Sequence, residues 1–183
     1  MVQALRELIE LEEYDEASLK EALSLFECAY TDKDSKDVRD FLEKDAISKE
    51  KAGETRTYLI LDDMEWDRGN VKINGYFAIA LKNIYFNKVE ESVLIEIFGE
   101  KRKNYPAYLI GQLARAKGTS KGSGSEYLTT ALKYISSASD IVGGRFVYLD
   151  CNKNRKSYYE KQGFFYLQDK HNDDTMLQMY KIL

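Results

Sequence analysis

The chain has 183 residues, a single proline and a net charge of −4, a length that suits one compact domain over 1–183 and leaves little for a second core. Two distant cysteines, Cys28 and Cys151, and one histidine, His171, argue against a metal site built from His and Cys and against any Ser/His/Asp or Cys/His set without His171. An acidic N-terminus with no export-signal pattern, and apolar runs too short for a membrane span, lead us to expect a cytoplasmic protein with reduced thiols and no membrane partner.

Residues 16–30 place Leu19, Ala22, Leu23, Phe26 and Ala29 at helical spacing, and 35–51 repeat the pattern with Val38, Phe41, Leu42, Ala46 and Ile47. Gly53 follows as a helix stop. The run 56–62 reads as a buried strand, a turn falls near Asp67–Asn70, and 71–82 returns as a second strand of a hairpin, with Gly75 marking a bulge. A short helix is predicted over 87–98. A continuous apolar strand follows at 107–115, then a helix at 123–138 with Tyr127, Leu128, Ala131, Leu132 and Ile135 on one face. A strand at 145–150, a helix at 153–162 and strands at 163–168 and 174–181 complete the order. Strand 107–115, helix 123–138 and strand 145–150 form a parallel crossover unit.

Charge divides the chain. Residues 1–100 hold 13 Lys/Arg against 24 Asp/Glu, a net −11, whereas 101–183 hold 14 against 7, a net +7. A basic C-terminal half suits an anionic ligand, either a nucleotide cofactor or RNA. The segment Thr119-Ser120-Lys121-Gly122-Ser123-Gly124-Ser125 lies between a buried strand and an amphipathic helix. Its glycines let backbone approach a ligand, free amides at a helix start favour an anion, and Lys121 adds a cation. That is the chemistry of a pyrophosphate cradle. It lacks the Gly-Lys-Ser/Thr ending of a P-loop and a full dinucleotide GxGxxG.

A second segment runs from Asn152 to Phe164: N-K-N-R-K-S-Y-Y-E-K-Q-G-F. Together the two segments resemble the GNAT acyltransferase superfamily. Its cofactor loop, Q/R-x-x-G-x-G, is matched from Thr119 to Gly124 with Thr119 in the Gln/Arg place. Its later motif, N-x-x-A-x-x-x-Y-E-K-x-G-F, is matched by Asn152, Tyr159, Glu160, Lys161, Gly163 and Phe164, with Arg155 in the small-residue place. Phe26-Glu27-Cys28, Phe41-Leu42, Arg56–Leu59, Gly75–Ala80 and Leu109–Ala114 resemble the branch that includes toxins acetylating the amino acid on charged tRNA. That branch usually has Gly-Arg-Leu-Ala where this chain has Gly111-Gln112-Leu113-Ala114, and it tends to be basic overall.

The resemblance implies an α/β GNAT fold: a mixed, mostly antiparallel central sheet with one splayed parallel pair of strands, flanked by helices. It implies an N-acetyltransferase using acetyl-CoA. Lys121, Gly122, Ser123, Gly124, Ser125 and Asn152 would bind the cofactor, and backbone groups of Leu113 and Arg115 would pair with its pantetheine arm. The acceptor would be a small-molecule, peptide or aminoacyl-tRNA amine; an antitoxin partner and a homodimer belong to the same branch. A related non-catalytic module that binds CoA or RNA is the other class of reading.

Tyr159 fits the role of general acid, since a phenol with pKa near 10 can donate to a forming thiolate whose thiol titrates near 8.5. Strand 107–115 carries no carboxylate base. An α-amine, with pKa near 8, needs less help than a lysine near 10.4, so a low-pKa amine with water as proton carrier is expected; Glu96, Glu100 and Glu126 are the candidate bases otherwise. Cys151 reads as a buried structural thiol and His171 as a surface loop residue. The run Lys101-Arg102-Lys103 reads as a solvated loop able to meet phosphate.

Overall fold

The computed structural model describes the chain apart from residues 12–14, 31–32, 86–90, 101, 103 and 171–172. His171, Lys101, Lys103 and positions 87–90 of the predicted helix therefore lie outside the described residues. The elements run β1 (Val2–Ala4), α1 (Leu5–Glu10), α2 (Glu16–Ser24), α3 (Lys33–Asp40), a π-helical turn (Phe41–Asp45) and α4 (Ala46–Lys51). They continue β2 (Arg56–Leu61), α5 (Asp63–Trp66), β3 (Ile73–Ile84), α6 (Glu91–Phe98), β4 (Tyr105–Arg115) and α7 (Ser123–Val142). The chain ends with β5 (Phe146–Asn152), a 3-10 turn (Lys153–Arg155), α8 (Lys156–Lys161), β6 (Phe165–Asp169) and β7 (Met176–Ile182). Hydrogen-bonded strands follow the order β1-β2-β3-β4-β5-β7-β6. No helix among the described residues is long and apolar enough to cross a membrane.

The chain forms two compact units, 1–80 with 110–134, and 81–109 with 135–183. In the first, β1 and β2 pair antiparallel, as do β2 and β3. Leu5, Leu8, Leu19, Leu23 and Leu42 from the helices close over Leu59, Leu61 and Tyr76 of the strands. Tyr76 is wholly buried, meets Phe26 edge-on at 5.5 Å, and donates its hydroxyl to the Val38 carbonyl. The Glu50 carboxylate, also buried, accepts the Thr57 amide at 2.7 Å and the Arg56 guanidinium at 3.1 Å, tying the end of α4 to the start of β2.

The expected bulge is present. Ile60 pairs with Gly75 but Leu61 pairs with Ile73, so Asn74 is the extra residue. Its carbonyl turns out to accept the Ala116 amide at 2.8 Å and the Tyr127 hydroxyl at 3.3 Å. A Cβ on Gly75 would lie 2.3 Å from the Tyr127 ring and 2.7 Å from the Ala114 carbonyl. Glycine there lets the first turns of α7 seat directly on β3 and β4.

In the second unit β4 and β5 are parallel, with Tyr108 opposite Val147 and Leu109 opposite Tyr148. β5 and β7 pair antiparallel along all of β5, and β6 closes on β7. Phe146, Tyr148 and Leu167 form the core with Ile84 and Ala107. The Tyr148 hydroxyl donates to Asp150 at 2.6 Å; burial first, and this acidic acceptor second, push the phenol's pKa far above its ordinary value.

Three expectations change. The helix predicted over 16–30 stops at Ser24, because residues 27–29 instead pair with the end of β4: Cys28 bridges Ala116, the Ala29 amide donates to Arg115, and the Lys117 amide donates to Glu27. Apolar spacing alone does not separate a last helical turn from such an arm. The N-terminal residues 2–10, left without an element by the sequence, form β1 and α1. The helix after β4 extends four residues beyond 138, to Val142, and is closed by Gly143 and Gly144 at positive φ.

Candidate functional site

The loop between β4 and α7 is built from internal carbonyl ties. Ala116 oxygen accepts the Thr119 hydroxyl at 2.6 Å and its amide at 3.3 Å. Ser120 oxygen accepts the Ser123 hydroxyl at 2.5 Å and amide at 3.3 Å, and Gly122 oxygen accepts the Ser125 amide at 2.9 Å. Gly118 and Gly122 hold φ of +86° and +107°, which favours glycine at both. The carbonyls of Ala116, Ser120 and Gly122 are thus occupied within the loop and the helix start. Among the described residues the amide N–H groups of Ser120, Lys121, Gly122 and Gly124 make no hydrogen bond, and Lys121 makes no ion pair. The unbonded amides and the Lys121 cation adjoin the start of a 20-residue helix, the end of a helix that favours an anion.

Of the predicted amides, Ser123 and Ser125 are bonded inside the loop, so the available donors are shifted toward Ser120–Gly122 and Gly124. Ser123 is itself buried. Leu113 and Arg115, predicted to offer backbone groups, have engaged carbonyls: Leu113 oxygen lies 3.4 Å from the Tyr30 hydroxyl, and Arg115 oxygen accepts the Ala29 amide at 2.9 Å. The sequence reading missed the Arg115 side chain, whose Nη1 donates to the Thr119 carbonyl at 3.2 Å and contacts its hydroxyl at 3.4 Å. A lone arginine closing an apolar strand was the available signal.

A cavity of about 540 Å³ opens beside this loop, lined by Lys117–Lys121 together with Asp62, Lys72, Asn74, Ser123, Glu126 and Tyr127. Lys72 pairs with Asp62 at 3.2 Å, and Lys117 with Glu27 at the same distance. The Lys72 ammonium first, and the Glu65 amide second, hold the Asp62 carboxyl below its ordinary range. Burial raises the Tyr127 phenol. Asp62, Lys72 and Asn74 were not singled out by sequence, since they come from the β2–β3 hairpin, far from the motif.

In the second unit, Asn152 ends β5 and caps the following turn, its Oδ1 accepting the Asn154 amide at 3.2 Å. Tyr159 is on α8, 8% exposed, with its ring edge-on to Phe164 at 5.8 Å and to Tyr158 at 5.0 Å. The helix then stops through two bonds: the Phe164 amide reaches the Tyr159 carbonyl and the Gly163 amide the Glu160 carbonyl, both at 3.0 Å. Gly163 carries the required positive φ of +81°. The ending Tyr-Glu-Lys-x-Gly-Phe is therefore a capping device that sets the Tyr159 ring edge-on to Phe164.

The other candidates fall on less pointed ground. Cys151 is buried with its Sγ 3.4 Å from the Met179 sulfur, a packing position. Glu96 is exposed, Glu100 pairs with Arg102, and Glu126 is exposed on the rim of the 540 Å³ cavity.

No family model matches the sequence. Similar solved structures span nearly the whole chain. AtaT complexed with acetyl-methionyl-tRNAfMet is 17% identical with a TM-score of 0.71, covering 97% of this chain and 92% of that one. A tyrosine-to-phenylalanine mutant of KacT is 16% identical with a TM-score of 0.70, covering 97% and 92%. AtaTR bound with AcCoA is 18% identical with a TM-score of 0.68, covering 97% and 91%. These likenesses, with the mixed sheet and its parallel β4–β5 pair, show that the chain has the GNAT fold.

Proposed function

We propose that this protein is an acetyl-CoA-dependent N-acetyltransferase. The observation that carries the proposal is the β4–α7 loop, where the Ala116, Thr119, Ser120 and Gly122 carbonyls are occupied while the amides of Ser120, Lys121, Gly122 and Gly124 make no bond among the described residues. A cofactor diphosphate offers the acceptors such an edge requires. Lys121 would add charge attraction, and Gly122, with open space where a Cβ would sit, would let phosphate oxygens approach backbone. The likeness to AtaTR bound with AcCoA supports this choice of ligand.

Acetyl-CoA would supply a thioester, whose carbon–sulfur bond breaks as the acceptor nitrogen bonds to the carbonyl carbon. Tyr159 would donate its Oη proton to the departing thiolate; Phe164 and the Gly163 cap restrain its ring. Tyrosine-to-phenylalanine mutants of KacT and AtaT among the similar structures fit a tyrosine of consequence in that fold. With no carboxylate on Tyr105–Arg115, proton removal from the acceptor is left to water, which favours an amine that is already partly neutral.

An aminoacyl-tRNA α-amine meets that condition, and the +7 balance of residues 101–183 suits a polyanionic carrier. The likeness to AtaT complexed with acetyl-methionyl-tRNAfMet favours the same class, and the AtaT–AtaR complexes make an antitoxin-like partner the counterpart to seek. The test is thiol release from acetyl-CoA against a panel of lysine peptides, α-amines and charged tRNA, with native protein and Tyr159→Phe. Turnover on α-amines that falls in the variant supports the enzyme. A clear lysine preference overturns the acceptor class, and CoA binding without any turnover makes the protein a non-catalytic binding module.

A further inference from the structure

We infer that the Arg115 guanidinium is a positioning residue for the diphosphate, setting the direction of the Ser120 amide. Resting on the acetyl-CoA reading above, this assigns to a side chain what the loop sequence itself does not provide. A backbone cradle for an anion needs each peptide plane turned with N–H toward the ligand and C=O away. The carbonyls of Ala116, Ser120 and Gly122 are held by donors within the loop and the helix start, namely Thr119, Ser123 and Ser125. The Thr119 carbonyl is held differently. Its donor is Nη1 of Arg115 on the preceding strand, at 3.2 Å, with the Thr119 hydroxyl 3.4 Å from the same nitrogen.

The peptide unit is planar and trans, so the Thr119 carbonyl and the Ser120 N–H point in opposite directions. Drawing the carbonyl toward Arg115 sends the Ser120 N–H the other way. That amide makes no hydrogen bond among the described residues. The lever has a firm base. Ala114 and Ala116, on either side of Arg115, are buried, and the Arg115 carbonyl is itself anchored by the Ala29 amide at 2.9 Å. A charged donor on a neutral carbonyl is among the stronger hydrogen bonds, and Gly118 at φ +86° gives the intervening turn the freedom to accept it.

The experiment is calorimetric titration of the full-length protein with CoA and with pantetheine, which keeps the thiol arm and lacks the diphosphate. Native protein, Arg115→Gln and Arg115→Lys are compared, with melting temperatures measured alongside. In Arg115→Gln, CoA affinity should fall about tenfold while pantetheine affinity stays within about twofold, and Arg115→Lys should recover part of the loss. A general structural role would weaken both ligands together. In parallel, the Ser120 amide resonance of native protein should shift on CoA addition, and that shift should vanish in Arg115→Gln. Unchanged CoA affinity in Arg115→Gln, or equal losses for both ligands, overturns the inference alone. Native protein that binds no CoA overturns the cofactor reading and takes the inference with it.

Discussion

In the proposed function the loop at 116–125 and the helix segment at 152–164 would work by opposite means. The loop would act through backbone amides, while the Thr119 and Ser123 hydroxyls and the Arg115 guanidinium before it occupy carbonyls. On the proposed reading the helix segment would act through one side chain, Tyr159, beside the backbone bonds that stop the helix. A backbone site is sensitive to φ and to the few side chains that hold its carbonyls. A side-chain site tolerates changes around it but not loss of one functional group.

Tyr159→Phe tests the second half of that contrast and should have the largest effect. Removing a general acid costs about 100-fold or more in turnover, while CoA affinity should stay within about twofold. Steady-state rates and calorimetry on the same preparation decide it; equal losses in both would make Tyr159 a packing residue. Gly122→Ala tests the first half. The added methyl meets nothing within 4 Å, so any effect is conformational, arising from φ +107°. Forcing an L-residue there costs about 1–2 kcal/mol, which becomes a roughly tenfold loss of CoA affinity if the loop relaxes to avoid it. Ser123→Ala, which removes a hydroxyl tied to the Ser120 carbonyl, should do less than Gly122→Ala. If it does more, side-chain ties rather than φ control the cradle.

Gly163→Ala comes next. Its φ of +81° is part of the cap, and a Cβ would lie 2.5 Å from Lys181 Nζ, the movable end of a long side chain that now bonds the Gln162 carbonyl at 3.1 Å. Stability should drop by about 1–2 kcal/mol, lowering Tm by roughly 3–6 °C in a chain of this size. CoA binding to the loop should survive. Thermal melts with and without CoA separate the two effects, and a variant that loses CoA affinity while keeping its Tm would refute the division of labour.

The sequence made both segments legible because each follows a local rule. Gly122 and Gly124 between a strand and a helix mark a loop where backbone can approach a ligand, and Gly163 after an amphipathic stretch announces a helix stop. Strands β2, β5 and β7 showed as apolar runs, and the parallel β4–β5 pair followed from the strand–helix–strand order. Long-range pairing was not legible. Nothing local tells that residues 27–29 leave helical form to pair with β4, or that Asp62 and Lys72 come to line a cavity beside Lys121. Gly75 stands between these cases. The glycine was visible, but its purpose, the approach of Tyr127 and the Ala114 carbonyl, belongs to tertiary contacts. Likewise the fate of each loop amide required knowing which carbonyls were taken, and one of those bonds comes from Arg115 on the preceding strand.

The smallest expected effect concerns the charged rim beside the loop. Lys72 first and the Glu65 amide second hold the Asp62 carboxyl below its ordinary range. A carboxyl with a depressed folded pKa stabilises the fold above its unfolded pKa, near 4, and that contribution is lost as pH falls through the lower folded value. Melting curves of native protein and Asp62→Asn taken from about pH 6 to about pH 3 should therefore converge toward the acid end. The gap at pH 6 will be small, because this ion pair is solvent-screened, and it should shrink further in high salt. The amide cradle has no group that titrates near neutrality and the 3′-phosphate of CoA is fully ionised above its second pKa of about 6, so CoA affinity of native protein should change less across about pH 7–8 than it does between low and high salt, where Lys121 and Lys117 are screened. A steep pH dependence in that range would mean that a titrating side chain, not backbone, governs the site.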